Sequence, residues 1–274
     1  VNNAGVDWHV EAGGGPPSDS TPVIINETVY TGAGSQVIAH NQNDGATLWS
    51  TTLEEEIISA PAAWGDLLLV STTDAVVGIN QQTGTINWRQ NATSGQLAIK
   101  NGVVYTSGGS KGYSRNDFAS AIDIQTGNIL WTSGYKTDSG IAIGDGKVYL
   151  PNAGRGVTAL FTTNGTVAWE IESITFDPPA VSDGMLFAGN EDDDSPSLLA
   201  INTSTGTTHW NKELSGSVTR MASPAVTSER VYVSTGSTDP IGGRLYAINR
   251  TTGTTEWTVE YPHWGERAPA VADE

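Results

Sequence analysis

The chain has 274 residues, with 30 acidic against 13 basic side chains, a net charge of −17 at neutral pH and no cysteine. The missing cysteine excludes a disulfide framework, a thiolate nucleophile and a Cys-ligated metal. The shortage of Lys and Arg excludes the basic footprint that nucleic acid or an anionic lipid surface requires.

No run of about 18 apolar residues occurs, so no segment reads as a membrane-spanning helix. An acidic, base-poor surface suits a secreted chain or a high-salt setting, where net negative charge keeps a protein soluble. The first residue is Val1 and no charged-then-apolar leader precedes it. The expectation is a processed or excised chain on the extracytoplasmic side.

Residues 1–12 hold Val6-Asp7-Trp8-His9-Val10-Glu11, and their Trp-x-Val-Glu piece echoes Trp257-Thr258-Val259-Glu260. From Thr21 onward the chain repeats one plan. A short apolar strand opens each copy, as in Pro22-Val23-Ile24-Ile25, Pro61-Ala62-Ala63-Trp64 or Pro224-Ala225-Val226. A tight turn such as Asn101-Gly102, Asp145-Gly146 or Asp183-Gly184 follows, of the kind that supplies positive φ to a two-residue hairpin. The second strand is β-branched and aromatic (Val103-Val104-Tyr105, Lys147-Val148-Tyr149), and a loop of variable length leads on to the third.

The third strand, a turn and the fourth strand carry the element A-x-D-x-x-T-G-x-x-x-W, complete in Ala121–Trp131 and present six times. The other copies run 39–49, 78–88, 159–169, 200–210 and 247–257. Their glycines (Gly45, Gly84, Gly127, Gly165, Gly206, Gly253) stand 39, 43, 38, 41 and 47 residues apart. A period of about 40 residues built from four short strands predicts an all-β protein, a β-propeller of four-stranded antiparallel blades. The turn chemistry and β-branching exclude a helical solenoid.

The predicted blades span 21–52, 58–91, 95–134, 139–172, 177–213 and 222–260, in one domain over 1–274. Partial-blade pieces at 1–12 and 267–274 point to a ring of seven blades, with six and eight as the alternatives.

The repeated element resembles the tryptophan-docking motif of the PQQ-like β-propeller repeats. That superfamily includes quinoprotein alcohol dehydrogenases and BamB-type outer-membrane assembly scaffolds. The resemblance covers essentially the whole chain. Asn41, Asn80, Asn202 and Asn249 replace the motif Asp, and Phe161 and Asn164 make the fourth copy the loosest. The resemblance implies that Trp49, Trp88, Trp131, Trp169, Trp210 and Trp257 dock each blade on the next. An indole buries a large area while its N–H needs a partner, which a seam between blades provides.

For the enzymes of the superfamily the resemblance implies PQQ, Ca²⁺, a catalytic Asp and commonly a vicinal disulfide. Without cysteine that disulfide cannot form, so no catalytic or PQQ-binding residue is assigned and a working quinoprotein dehydrogenase is the alternative reading. The acidic run Glu191-Asp192-Asp193-Asp194 offers the hard oxygen donors that Ca²⁺ prefers, which makes Asp192, Asp193 and Asp194 the metal candidates. The run lacks the spacing of an EF-hand loop, and a solvated acidic loop is the competing reading. The four histidines (His9, His40, His209, His263) have no metal-ligand spacing.

Binding sites concentrate on variable loops over a rigid scaffold. The loops between second and third strands, 108–117 and 236–244, and the connections between blades share one face. That face carries Glu54-Glu55-Glu56, and its contact candidates are Tyr113, Arg115, Arg220, His263, Trp264 and Arg267. Trp64, at the end of an opening strand, reads as core. Five N-x-S/T sequons stand at Asn26, Asn91, Asn164, Asn202 and Asn249; they permit N-glycosylation of an exterior protein without demonstrating it.

The expected function is a non-catalytic extracytoplasmic propeller, a scaffold for a protein or surface-glycan partner, with no cofactor, no nucleic acid and no membrane insertion. A carbohydrate-binding propeller using Trp264 is the third reading.

Overall fold

The computed structural model of the chain describes residues 21–92, 95–107, 118–135, 137, 140–152, 156–172, 177–190, 196–215, 218–237, 243–261 and 268–271. The described residues form six antiparallel sheets in simple up-and-down order. The backbone divides into two compact units, Val1–Gly134 and Tyr135–Glu274. The first three sheets belong to the first unit and the last three to the second.

The first sheet shows the plan, with strands Val23–Ile25, Thr28–Ala33, Gln36–Asn41 and Thr47–Thr52. The turn into its second strand uses Asn26 (φ 47°) and Glu27 (φ 61°); the third sheet uses Asn101 (φ 52°) and Gly102 (φ 75°) at the same place. Left-handed φ at both central residues is the geometry whose twist matches paired strands. The motif turn is closed by its own side chain. In the third sheet Asp123 Oδ1 accepts from the N–H of Thr126 at 2.8 Å and from its Oγ1 at 2.7 Å. Asn80, Asn202 and Asn249 make the same loop with the two or three residues that follow each of them. Asn does the work of Asp here because the turn needs an acceptor oxygen and not a charge.

One local feature escapes the sequence pattern. In all six sheets the pairing of third and fourth strands slips by one residue beside the motif Ala or Gly, as between Ala39/His40 and Ala121/Ile122. Such a bulge turns two successive side chains off the ladder. Leu48 and Leu130, immediately before their tryptophans, are therefore 54% exposed, although they stand beside a packed indole.

Within each unit the seam between consecutive sheets is a layer of interlocked aliphatic residues. In the first unit Tyr30, Val37, Ala39 and Trp49 of the first sheet meet Leu68, Val70, Val77 and Ile79 of the second. Leu69, Val76 and Trp88 then meet Val104, Ile122 and Ile124 of the third. In the second unit Tyr149, Val157, Ala159 and Trp169 meet Leu186, Ala188, Leu199 and Ile201. Phe187, Leu198, Ala200 and Trp210 meet Val231, Val233, Tyr246 and Ile248. Leu67–Ser71 of the second sheet and Ser197–Asn202 of the fifth are buried on both faces, because within its unit each of these sheets packs against a neighbour on either side. Alternation is weak there, whereas fourth strands such as Thr47–Thr52 stay largely exposed.

Several expectations need correction. Both ends of the stretch 236–244, expected as loop, belong to strands: Arg230–Ser237 pairs with Gly243–Asn249 up to Thr235 opposite Arg244, while 238–242 lie outside the described residues. Arg220 lies in an additional strand, Val218–Met221, that pairs opposite Gly236, so the last sheet has five strands. The chain entering that sheet had a free edge on the overlong second strand, and filled it. Trp64 is 38% exposed and not core, because it sits at the outer end of a three-residue strand. Residues 268–271, expected to open a further blade, form no ladder with any strand among the described residues. The other terminal piece, 1–12, lies outside the described residues.

Candidate functional site

Up-and-down order gives every sheet two ends. One carries the turn between the first two strands and the motif turn; the other carries the loop between second and third strands and the connection to the next sheet. The two ends differ in what their side chains do.

At the motif-turn end the polar groups lock sheets together. Trp49 Nε1 donates to the carbonyl of Gln81 at 2.8 Å, Trp88 to Ile124 at 3.0 Å, Trp169 to Thr203 at 2.8 Å and Trp210 to Arg250 at 2.9 Å. In each case the acceptor lies three residues before the motif glycine of the next sheet, and the indole covers that glycine. A Cβ built on Gly84, Gly127, Gly206 or Gly253 would stand 2.6–2.8 Å from the ring of Trp49, Trp88, Trp169 or Trp210. The glycine is required twice over, because its φ of 71–73° is left-handed as well. Trp131 is buried, its ring 6.0 Å from that of Tyr105 in its own sheet and tilted 49° to it.

In the second unit the residue that supplies the carbonyl also spends its side chain on the seam, whereas Gln81 spends its own within the second sheet. Gln81 Nε2 donates to the carbonyls of Gly65 and Leu67. Thr203 Oγ1 donates to Asp145 Oδ2 of the preceding sheet at 2.9 Å, beside the Gly184 N–H at 3.1 Å. Arg250 Nη1 donates to Asp183 Oδ2 at 2.9 Å and Nη2 to the Ser182 carbonyl at 2.7 Å. Hydrogen bonding to Arg250 holds the Asp183 carboxyl below its usual pKa. Tyr149, over Asp145, is pushed up by burial and then by that negative charge. The histidines described here belong to the same end: His40 Nδ1 lies 3.3 Å from the Gly45 carbonyl and His209 Nε2 lies 3.2 Å from the Thr251 carbonyl.

At the opposite end the connections dock downward and leave charge outside. Leu53 and Ile57 are buried on either side of Glu54-Glu55-Glu56, and their N–H groups donate to Ser35 and Gly34. Glu55 is held by Arg89 and accepts from Thr72 Oγ1 at 3.3 Å, while Glu54 points to solvent 3.8 Å from the same arginine. In the second unit the Ser215 carbonyl accepts from Tyr246 Oη at 3.0 Å and from Arg244, which also pairs with Glu260 at 3.1 Å.

The contact candidates Tyr113, Arg115, His263, Trp264 and Arg267 and the metal candidates Asp192, Asp193 and Asp194 lie outside the described residues. Arg220 is placed by its backbone on the added strand, at this same end of the last sheet. Among the described residues no group of three or more His, Asp or Glu side chains is placed to hold a metal ion. No helix among them is long and apolar enough to cross a membrane.

Of the sequon asparagines, Asn202 and Asn249 have their carboxamide oxygens committed to motif turns, and Asn249 Nδ2 also donates to Glu256 at 3.2 Å. Asn164 Oδ1 accepts from Thr166, Asn91 accepts from Arg89, and Asn26 holds a left-handed turn position.

The model of the family described as outer membrane protein assembly factor BamB matches residues 3–113 and 115–265. Among individual relatives, the outer membrane protein assembly factor BamB of Yersinia pestis is 22% identical over 201 residues, covering 67% of this chain and 50% of its own length. The chain spans at most about half the length of the curated relatives it matches. The crystal structure of BamB from Moraxella catarrhalis superposes with a TM-score of 0.68 at 16% identity, over 89% of this chain and 74% of the other. A europium-containing methanol dehydrogenase superposes with a TM-score of 0.66 at 10% identity, over 96% of this chain and 74% of the other. At these identities the superpositions establish the fold, a β-propeller, and nothing of the chemistry.

Proposed function

From the premise that this chain belongs to the outer membrane protein assembly factor BamB family, we propose that it is a non-catalytic, extracytoplasmic propeller that binds another protein as an assembly scaffold. The observation that carries this reading is where the motif chemistry goes. Four indole N–H groups and Arg250 are consumed in holding sheets together, and the turn carboxamides and carboxylate in closing their own turns. What varies from sheet to sheet is the opposite end, with the two-three loops, the Glu54–Glu56 connection and the added strand of Arg220. Within each unit, packed sheets that present unlike loops at one end have the form a binding module takes. A base-poor, acidic exterior favours a protein partner with a complementary basic patch. The extracytoplasmic setting is inferred from the relatives, which are outer membrane protein assembly factors.

The test installs a photo-crosslinking amino acid at position 113 or 264, which the sequence pattern assigns to the loop end, and at position 48, at the bulge beside the motif turn, in the native host. A single protein cross-linked from 113 or 264 but not from 48, and binding the purified chain in calorimetry, supports the reading. Turnover of an alcohol by the purified chain with PQQ and Ca²⁺ would sink it in favour of the dehydrogenase alternative.

A further inference from the structure

Five of the six motif turns are closed by the side-chain oxygen of their own third residue: Asn41, Asn80, Asp123, Asn202 or Asn249. The fourth sheet has Phe161 at that place. Its turn is kept by other means. The Gly165 N–H donates to the Phe161 carbonyl at 2.9 Å, and Asn164 Oδ1 accepts from the N–H and the hydroxyl of Thr166. The turn does not need the ring, which stands 41% exposed, with Val167 at the far side of the same turn exposed as well. A local rule broken without a gain to the element itself marks a place where function is to be looked for.

Directly across the ladder from Phe161 is Lys147, its Nζ 5.7 Å from the ring centroid. Lys147 is 8% exposed. A buried ammonium is ordinarily answered by a carboxylate. Among the described residues Lys147 forms no ion pair, and its hydrogen bond goes to the backbone carbonyl of Asp145 at 3.4 Å. The Asp145 carboxylate is committed elsewhere, its Oδ2 accepting from Thr203 and from the Gly184 N–H.

The sixth sheet has the same cation with its acid. Arg230, opposite Asn249, stands at the place of Lys147, and its Nε donates to Glu256 Oε2 at 2.6 Å. Glu256 is the residue before the motif tryptophan, at the bulge. In the fourth sheet that residue is Ala168. The cation is kept, and a methyl group stands where its counter-charge would be.

We propose that the Lys147–Phe161 corner of the fourth sheet binds a carboxylate side chain of a partner polypeptide, an Asp or Glu with an apolar neighbour. The carboxylate takes the place that Glu256 has in the sixth sheet, and the apolar neighbour lies on Phe161 and Val167. The ring attracts the ammonium through its face and keeps water from that side, so a charge-assisted bond to an incoming anion is strengthened. Salt screens the long-range repulsion from the net charge of −17 more than it screens a contact pair partly removed from water. The site lies at the motif-turn end, away from the loop end of the assembly reading, and does not rest on that reading.

The test uses two capped, glycine-flanked peptides, Leu-Glu-Leu and Leu-Gln-Leu, and reads the chemical shifts of Val167 and of the Phe161 ring. The Glu peptide shifts them, and the Gln peptide binds several-fold more weakly. Lys147→Met removes the response at Val167, and so does Phe161→Asn, which restores the motif residue. Ala168→Glu supplies the carboxylate from within the sheet: it melts higher than Ala168→Gln and no longer responds to the Glu peptide. Equal responses to the two peptides overturn the proposal. So does an Ala168→Glu variant that melts no higher than Ala168→Gln and still binds the Glu peptide. Acetate acting as strongly as the Glu peptide assigns the corner to free carboxylates and overturns the partner assignment.

Discussion

Arg250 reaches from the motif turn of the sixth sheet to Asp183 in the first turn of the fifth, Nη1 to Oδ2 at 2.9 Å. The guanidinium also lies 6.0 Å from the Phe187 ring, so its planar face is packed while its edge bonds the neighbouring turn. This is the position that gives its carbonyl to Trp210, so one residue closes the seam from backbone and side chain alike.

The pair makes stability depend on pH in a defined direction. Hydrogen bonds from Arg250 and Ser182 depress the Asp183 pKa in the folded state. The folded state therefore holds its proton more weakly than the unfolded one. The contribution is present above the usual carboxylate pKa and is lost as pH falls through the depressed value. Asp183→Asn should lower Tm at pH 7, and the gap to the parent should close as pH falls below the ordinary Asp value of about 3.9. Thermal melts of both proteins across that range check it.

Tyr149 acts at the other extreme. Burial first, then the charge of Asp145, raises its folded pKa above the ordinary 10.0. The unfolded chain releases this proton as pH passes about 10 while the folded chain retains it, so stability falls above that pH. In Tyr149→Phe the alkaline loss should be shallower than in the parent, as read by denaturant melts from pH 8 to 11.

Glycine at the motif turn is expected to be worth more than glycine at an open turn. Gly102→Ala meets no atom within 4 Å but must hold φ near +75°. That strain alone costs about 1–2 kcal/mol. Gly127→Ala carries the same strain and also drives a methyl into the Trp88 ring. Urea unfolding should rank Gly127→Ala clearly below Gly102→Ala, and equal losses would mean the ring yields without cost.

Removing an indole N–H leaves its carbonyl unanswered. Trp169→Phe keeps an aromatic ring against Tyr149 but strips the Thr203 carbonyl of its 2.8 Å donor in a buried seam. A loss of about 1–3 kcal/mol is expected in the same assay. Thr203→Ser, which retains the carbonyl and the hydroxyl toward Asp145, is the near-neutral control.

Much of this frame was legible in residue order. The Thr-Gly turns, the Asn-Gly and Asp-Gly hairpins and the tryptophan at each strand end are local signals, because a left-handed φ or an Asx turn depends on residues within three or four positions. The bulge before each tryptophan was not legible, since it changes no residue type. The five-stranded last sheet was missed because strand length there is decided by which free edge the entering chain can pair with. Arg220 consequently moved from loop to strand. Trp64, read as core, proved exposed because burial depends on what stands opposite.

The amino-acid sequence by itself determined the repeat, its period and the turn chemistry, and with them the all-β blade. Those are encoded in spacings that no distant contact can alter. Only the tertiary structure decided which groups are already spent. It showed Arg250 bound to Asp183, Thr203 to Asp145 and Glu55 to Arg89. Contacts between residues some 35 to 70 positions apart follow from how sheets face each other, and one sequence carries no direct record of that.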